Sequence, residues 1–441
     1  MPGGNVTLSG GSLTLSNNAN NRIYGATGTD TLTNQETIQG SGNIGAGQMT
    51  LVNSGTINAN QSAGLTIQAS GGTTNTGTIE ATAGTLALVN TTVSNTGGTI
   101  SASGQTLRVT NSMINGGTVT LTGASTLQLS NSTIQSGTLT NSTTGTIEAL
   151  SFTTNTLGGT VSNPAGGVIK IDNGARLNLE NGAYPSLGAV TLNSTGNFTD
   201  LVVAGGNATL SGGNLTLSNN ANNRIYGVTA TDTLTNQETI QGAGNIGAGQ
   251  MTLVNSGTIN ANQSAGLTIQ ANGGTTNTGT LEATAGTLAL VNTTVFNTGG
   301  KILANGETLQ VTNSTVNGGT VTLTGASTLQ LSNSTIQSGT LTNSTTGTIE
   351  ALSFTTNTLG GTISNPLGGV IKIDNGGRLN LENGSYSNAG SVTVNSTGNF
   401  TDLVVSGASV ILAGGGKVTL SNNANNRIYG VAPRAADNRQ S

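Results

Sequence analysis

A long internal repeat is the feature that most limits how this chain can fold. The same residues, S-N-N-A-N-N-R-I-Y-G, begin at Ser16, Ser218 and Ser421, at intervals of 202 and 203 residues. Residues 5–200 and 207–402 are about 90% identical. Because near-identical sequences favour the same local structure, the repeat predicts two equivalent units and the beginning of a third.

The limits of this long repeat predict the domain organisation. A one-residue insertion near residues 406–417 accounts for the longer second interval. The sequence leaves the repeat and becomes polar after Val431. We therefore predict two long repeats, the start of a third, and a polar, irregular tail, over residues 1–204, 205–405, 406–431 and 432–441.

A shorter period of about 20 residues lies inside each long repeat. One pattern, Gly or Glu followed by Thr and an aliphatic residue, recurs at nearly regular intervals and begins at Glu36, Gly55, Gly77, Gly98, Gly117, Gly137 and Gly159. A second pattern, aliphatic–x–aliphatic–x–Asn, keeps step with it and ends at Asn90, Asn111 and Asn131. A further Gly-Thr copy at Gly145 falls out of phase.

The alternation within these patterns predicts strands. It places Leu86 and Leu88 on one face of a strand and Ala87 and Val89 on the other. A repeat of about 20 residues cannot close a hydrophobic core alone, so it must stack on its neighbours. We therefore predict an all-β fold, a single-stranded parallel β-helix (β-solenoid) with about 20 residues per turn. At the usual strand spacing, the stacked turns predict a rod on the order of 100 Å long.

The Asn residues and the aromatic residues each lead to a more specific prediction. The Asn that follows each aliphatic pair predicts an internal ladder of stacked amides at one corner, although Asn also suits exposed turns. The few aromatic residues, such as Phe152 and Phe198, are expected to fill gaps in the core or to cap irregular turns.

Composition argues against several classes of function. Only 6% of residues are charged and 2% aromatic, and the chain contains no Cys and no His. The commonest general base and the thiolate ligands are therefore missing. A net charge of −4 provides no electrostatic footprint for nucleic acid. We expect no cofactor, no metal, no nucleic-acid partner and no direct membrane insertion, since no apolar run reaches the roughly 18 residues that a membrane-spanning helix needs.

Charged residues cluster at one place in each long repeat. The two clusters comprise Lys170, Asp172, Arg176 and Glu180, and Lys372, Asp374, Arg378 and Glu382. The favoured interpretation is a solvated ion-pair patch, and the functional alternative is a contact with a partner. Glycoside hydrolysis generally requires two carboxylates about 5–10 Å apart. Most acidic residues here are tens of residues apart in sequence, so we expect no catalytic residues and no enzymatic activity.

The chain resembles the repeat regions of large bacterial adhesins and exoproteins, of the filamentous-haemagglutinin and autotransporter-passenger types. The matching phrases, N-S-G-T-I-N, N-T-G-T-I-E and G-T-L-A-L, begin at Asn53, Asn75 and Gly84, and the resemblance spans residues 5–430. It implies a right-handed β-helix that acts as a stalk or adhesive segment, located outside the cell or on its surface. The implied partners are glycans or proteins on host or neighbouring cells.

Part of the pattern of these families is missing from the sequence. We find no Asn-Pro-Asn-Gly secretion signature, no C-terminal barrel pattern and no signal peptide at the N-terminus. The export signal and the anchor are therefore expected to be absent from this segment.

Three alternative functions remain at this stage. Uncapped solenoid ends would allow end-to-end self-association into a filament. Some β-helix proteins cleave polysaccharides, which keeps an enzyme as a less favoured alternative. Alternating hydroxyls, as at Thr118, Thr120 and Thr122, would suit an ice-binding face. The threonines do not recur at one register across all turns of the sequence, so a solvated strand face is the preferred interpretation.

Overall fold

Short parallel strands joined by tight corners form the chain in this computed structural model, which describes residues 4–185 and 188–431. The strands wind into a parallel β-solenoid of about 19 turns with about 22 residues per turn, and the described residues contain no helix. The predicted fold class is therefore confirmed. Its handedness stays a prediction, and the predicted tail over residues 432–441 lies outside the described residues.

The turns average about 22 residues where the sequence predicts about 20, and their corners vary in length. Asn5 pairs with Thr31, and Thr31 in turn pairs with Thr50, so the second of these turns is several residues shorter than the first. The strands keep their register while the corners absorb the difference.

Spatial contacts divide the chain into two units. Unit 1 comprises Met1–Ser218 and Asn222–Val228, and unit 2 comprises Asn219–Ala221 and Thr229–Ser441. This division follows contacts in space, whereas the repeat limits drawn from the sequence remain a prediction.

The strands of unit 1 are β1 Asn5–Leu8, β2 Ser12–Thr14, β3 Arg22–Ile23, β4 Thr31–Asn34, β5 Thr37–Gln39, β6 Gly42–Ile44, β7 Thr50–Asn53, β8 Thr56–Ala59, β9 Leu65–Ile67, β10 Thr73–Asn75, β11 Thr78–Ala81, β12 Leu86–Val89, β13 Thr92–Ser94, β14 Thr99–Ser103, β15 Thr106–Thr110, β16 Met113–Asn115, β17 Thr118–Thr122, β18 Thr126–Ser130, β19 Thr133–Gln135, β20 Thr138–Thr140, β21 Thr146–Ala149, β22 Thr154–Leu157, β23 Thr160–Ser162, β24 Val168–Ile171, β25 Arg176–Pro185, β26 Ala189–Leu192, β27 Thr199–Ser211, β28 Asn214–Leu217 and β29 Asn223–Gly227.

The strands of unit 2 are β30 Thr233–Asn236, β31 Thr239–Gln241, β32 Gly244–Ile246, β33 Thr252–Asn255, β34 Thr258–Ala261, β35 Leu267–Ile269, β36 Thr275–Asn277, β37 Thr280–Ala283, β38 Leu288–Val291, β39 Thr294–Phe296, β40 Lys301–Asn305, β41 Thr308–Thr312, β42 Thr315–Asn317, β43 Thr320–Thr324, β44 Thr328–Ser332, β45 Thr335–Thr342, β46 Thr348–Ala351, β47 Thr356–Asn365, β48 Val370–Ile373, β49 Arg378–Asn388, β50 Ser391–Val394, β51 Thr401–Val405, β52 Val410–Ala413, β53 Lys417–Leu420 and β54 Asn426–Gly430.

Within each unit the strands stack in three columns, each strand pairing in parallel with the equivalent strand of the turns before and after it. In unit 1, column 1 begins β1–β4–β7, column 2 begins β2–β5–β8 and column 3 begins β3–β6–β9. In unit 2 the three columns begin at β30, β31 and β32. The long strands β45, β47 and β49 run round a corner and pair in both column 1 and column 2.

The core is a stack of aliphatic side chains that face inward from all three columns. Leu86 and Leu88 are fully buried, whereas Ala87 and Val89 are partly exposed, as the alternation predicts. Ile57 and Ile79 pair directly across successive turns of column 2, and both are fully buried. Each turn therefore covers the apolar residues of the turn beneath it.

The Gly of the Gly-Thr pattern is required by how closely the turns approach one another. A β-carbon on Gly77 would overlap the backbone carbonyl of Gly55 in the preceding turn. The out-of-phase copy has a different position, because Thr146 pairs with Thr126 in column 3 whereas Thr78 pairs with Thr56 in column 2.

A buried ladder of Asn side chains is present, but on residues other than those predicted. The amide of Asn34 donates to Asn53, that of Asn53 to Asn75, and that of Asn75 to Asn95, each at 2.7 Å. All four side chains are fully buried at the end of column 1. Asn236, Asn255, Asn277 and Asn297 repeat the ladder in unit 2.

The predicted ladder residues are exposed corner residues instead. Asn90, Asn111 and Asn131 have φ values of 48°, 48° and 50° and lie on the surface. Asn is one of the few non-glycine residues that adopts this left-handed conformation readily. The predicted internal position is therefore wrong, and the alternative, that Asn suits turns, is correct, although Asn111 does donate its side-chain amide to Asn90 across one turn, at 3.2 Å on the surface.

Replacing one ladder residue tests its contribution to stability. We expect Asn75→Ala to lower the free energy of unfolding by about 1–3 kcal/mol, because it leaves buried polar groups of Asn53 and Asn95 without their partner. Asn90→Gly should lower it by less than about 1 kcal/mol, because Gly adopts the same φ and the side-chain bond that is lost, from Asn111 at 3.2 Å, is exposed to water. Urea-induced unfolding and hydrogen exchange around residue 75 measure both effects. Equal destabilisation by the two substitutions would contradict a special role for the ladder.

Candidate functional site

A cluster of aromatic and charged side chains lies on the surface of unit 1. The carboxylate of Asp200 accepts two hydrogen bonds from Arg224, at 2.8 and 2.7 Å, and one from the Tyr226 hydroxyl at 3.1 Å. The Arg224 guanidinium lies 3.9 Å from the centre of the Phe198 ring. Arg176 lies 5.7 Å from the centre of the Tyr226 ring. We call these five residues the aromatic–arginine cluster.

The stacking of column 1 brings the charged members of the cluster together. Arg176 pairs with Asp200 across one turn, and Asp200 pairs with Arg224 across the next. Residues far apart in sequence are therefore in consecutive turns at the usual strand spacing of roughly 4.8 Å. Opposite charges alternate along this stack, which favours the ion pair.

The corner before β27 positions Phe198. The side-chain oxygen of Asn173, in the preceding turn, accepts hydrogen bonds from the backbone N–H groups of Thr195 and Asn197, at 2.8 and 3.1 Å. This holds the short loop against the solenoid while Phe198 itself remains 57% exposed. The ring is therefore held in place with much of its surface open to solvent.

The Asp200 carboxylate determines the electrostatics of the cluster. Its hydrogen bonds raise the pKa of Arg224, so this guanidinium stays charged. Burial, and then the negative charge of Asp200, raise the pKa of Tyr226, so its hydroxyl stays protonated. Arg176 donates from Nε to the side-chain oxygen of Asn178 at 2.8 Å and forms no ion pair with a described residue. The cluster thus combines a neutralised ion pair, an unpaired cation and an exposed ring.

Unit 2 contains the same cluster. Arg427 donates to Asp402 at 2.7 and 2.8 Å and lies 4.0 Å from the centre of the Phe400 ring, which is 59% exposed. The Tyr429 hydroxyl donates to Asp402 at 3.2 Å, and Arg378 lies 5.9 Å from the centre of the Tyr429 ring. The arrangement is thus present once in each unit.

The four charged residues that the sequence predicts as one patch make separate contacts in the structure. Lys170 forms ion pairs with Asp172 at 2.8 Å and with Glu148, in the preceding turn, at 2.7 Å. Arg176 belongs to the aromatic–arginine cluster, and the carboxylate of Glu180 lies against Gly158. A partner contact at these residues stays a prediction.

The equivalent residues of unit 2 are arranged in the same way. Lys372 pairs with Asp374 at 2.7 Å and with Glu350 at 2.8 Å. Arg378 donates to Asn380 at 2.9 Å, and Glu382 lies near Gly360.

Ion pairing sets the charge state of the lysine group in unit 1. The hydrogen bonds to Asp172, and then to Glu148, raise the pKa of Lys170. Although partial burial acts in the opposite direction, the hydrogen bond from Lys170 lowers the pKa of Glu148. Both groups are therefore ionised at neutral pH, and neither is suited to exchange protons there.

Sequence reasoning missed most of the aromatic–arginine cluster. Of the two roles predicted for Phe152 and Phe198, filling gaps in the core is wrong, since they are 70% and 57% exposed, whereas capping a turn fits Phe152. Phe152 covers the corner at Gly174. The usable signal is the pair of phrases N-F-T-D and N-R-I-Y, which contribute Phe198, Asp200, Arg224 and Tyr226 one turn apart.

The described part of the chain offers neither a metal-binding group nor a membrane-spanning helix. It holds no group of three or more acidic, His or Cys side chains arranged to bind a metal ion. Within residues 4–185 and 188–431, none of the segments forms a helix able to cross a lipid bilayer.

Comparison with known proteins yields solved structures but no family. No protein-family model matches the chain, and no curated protein matches it. The chain is similar to a crystallised, TibC-catalysed, hyper-glycosylated fragment of TibA spanning residues 55–350, with 15% identity over 97% of each chain and a TM-score of 0.17. At that TM-score the similarity carries no argument, so the fold rests on the strand pairing described above.

Substitutions in the cluster of unit 1 should separate its supporting residues from its exposed ones. We expect Asp200→Ala to lower the free energy of unfolding by about 1–3 kcal/mol, because Arg224 and Tyr226 lose a partly buried charged acceptor. Phe198→Ala should cost less than about 1 kcal/mol, because most of the ring is already in contact with water. Chemical denaturation measures both values. A larger loss for Phe198→Ala would show that the ring is a structural element.

Proposed function

We propose that this chain is a structural and adhesive stalk segment of a secreted or cell-surface bacterial protein, without enzymatic activity of its own. The observation that carries the proposal is the aromatic–arginine cluster, present in each unit and held on a scaffold of paired strands. In this role the solenoid supplies a rigid framework, and the exposed cluster supplies the contact with another surface.

The exposure of Phe198 supports a binding role. Single apolar residues on a protein surface need no explanation. Here, however, the ring is fixed by a hydrogen-bonded corner and stacked against the guanidinium of Arg224. Aromatic and Arg side chains together are enriched in binding surfaces, because they offer a large contact area with little loss of conformational freedom.

We propose a glycan on a host or neighbouring cell as the partner. The apolar C–H face of a sugar ring can pack on the open face of Phe198, while its hydroxyl groups can bond to Arg176 and to the exposed part of Arg224. A binding site that combines an apolar ring with a few fixed polar groups suits such a ligand. Since the cluster occurs once in each unit, weak binding at single sites can be strengthened by multivalency.

Removal of the two exposed rings tests the proposal. The variant Phe198→Ala, Phe400→Ala should lose most binding to a cell monolayer, because each cluster loses its stacking surface. Phe296→Ala is the matched control, since this ring is 53% exposed but lies outside the clusters. Bound chain is measured by flow cytometry, with untreated cells and with cells from which glycans have been removed enzymatically.

The possible outcomes of that experiment differ clearly. Binding that is lost in the double variant and on deglycosylated cells, and retained by Phe296→Ala, supports the glycan partner. Binding that survives deglycosylation but is lost after protease treatment of the cells would replace the glycan by a protein partner. No binding to any surface, including a glycan array, would remove the adhesive part of the proposal.

The proposed location has its own test. We expect antibodies against the purified chain to label intact, unpermeabilised cells of the source bacterium, or to detect the protein in its culture medium, because a stalk segment must lie outside the cell. A cytoplasmic protein serves as the control for cell integrity. Labelling only after permeabilisation would contradict the proposed location.

A further inference from the structure

The outer face of column 2 carries two parallel rows of hydroxyl groups in each unit. We call these residues the hydroxyl array. In unit 1 it consists of Thr99, Ser101, Thr118, Thr120, Thr138, Thr140, Thr160 and Ser162. In unit 2 it consists of Thr320, Thr322, Thr340, Thr342, Thr362, Ser364, Ser385 and Ser387.

Strand pairing aligns the hydroxyl array in two dimensions. In unit 1, Thr118 pairs with Thr99 on one side and with Thr138 on the other, and Thr120 pairs with Ser101 and Thr140. The turns are roughly 4.8 Å apart, and the two rows, two residues apart along each strand, are separated by about 6.6 Å. Although the threonines do not recur at one register across all turns, they share a register with other hydroxyl residues in these turns.

The same alignment holds in unit 2. Thr320 pairs with Thr340, Thr340 with Thr362, and Thr362 with Ser385. The register shifts in this region fall before residue 339 and before residue 361, so they leave the rows uninterrupted. The array continues across four consecutive turns in both units.

The hydroxyl array is uncharged, and many of its hydroxyls are free to bond to water. The side chains of Thr120, Thr138 and Thr140 form no hydrogen bond with a described residue, whereas Thr118 donates to Thr99 at 3.2 Å. The neighbouring outer face of column 3 differs, because it carries Arg108 and the Lys170 ion-pair group.

These properties identify the chemistry of a matching surface. An ionic mineral would be recognised by charged side chains, and the array has none. A crystalline polysaccharide would favour stacked aromatic rings, and the array contains no aromatic residue. Hydroxyls that both donate and accept, set with methyl groups on a regular two-dimensional grid, suit a surface made of ordered water molecules.

We propose that the hydroxyl array binds ice. Water held between the threonine rows adopts the regular spacing of the strands and merges with the water lattice at the crystal surface. The methyl groups restrict the positions that this water can occupy. This activity is independent of the proposed glycan contact, because it uses another face of each unit and none of the residues of the aromatic–arginine cluster.

Ice-affinity partitioning of the full chain tests this inference. The parent chain should be enriched in slowly grown ice relative to an inert protein of similar mass. The array variant Thr120→Tyr, Thr140→Tyr, Thr322→Tyr, Thr342→Tyr should lose this enrichment, because bulky rings interrupt the regular grid while Tyr remains a good strand residue. The matched control, Thr126→Tyr, Thr146→Tyr, Thr328→Tyr, Thr348→Tyr, changes outward threonines of column 3 and should retain enrichment.

Circular dichroism establishes that each variant keeps its strand content. If the tyrosine array variant does not fold, Lys at the same four positions of the array and of the control replaces it. Exclusion of the parent chain from ice would overturn the inference, as would equal loss in array and control variants or full enrichment of the array variant. Loss in the array variant alone supports it.

Discussion

Pairing between turns is the constraint on which the rest of this structure depends. A single turn of about 22 residues leaves its aliphatic side chains open on both sides and its strand N–H and C=O groups without partners. Adding a turn at the strand spacing satisfies both needs at once, as the direct pairing of Ile57 with Ile79 shows. The buried Asn ladder, the alternating charges of the aromatic–arginine cluster and the hydroxyl array all follow from the same register.

The fold could be predicted from the sequence because its signals are local and repeated. Alternation identified the strands, and both Leu86 and Leu88 face inward as predicted. A period of about 20 residues is too short to enclose a core, which leaves stacking as the physical solution. The Gly of the Gly-Thr pattern is explained by the close approach of successive turns, which a β-carbon would prevent at Gly77.

The aromatic–arginine cluster and the hydroxyl array could not be predicted in the same way, because they depend on register between turns of unequal length. Whether Asn75 or Asn90 belongs to the buried ladder depends on which corner of the turn is closed and which is open to solvent. Asn75 is buried in the ladder, whereas Asn90 adopts a left-handed conformation on the surface. Likewise, the turn across which Asp200 meets Arg224 is longer than the turn across which Thr99 meets Thr118. No single repeat length in the sequence would bring both of these pairs into register.

The Asn ladder also bears on how such a protein ages. Deamidation converts Asn to Asp or isoaspartate through attack by the following backbone nitrogen, and it is fastest where Gly follows. An Asp at position 75 could still accept from Asn53 but could no longer donate to Asn95, so the one-way chain of amides would end there. The ladder residues are followed by Gln, Ser or Thr, whereas Asn-Gly pairs, as at Asn115 and Asn181, lie outside the ladder. The most vulnerable dipeptides are thus kept away from the amides whose chemical loss would do most damage.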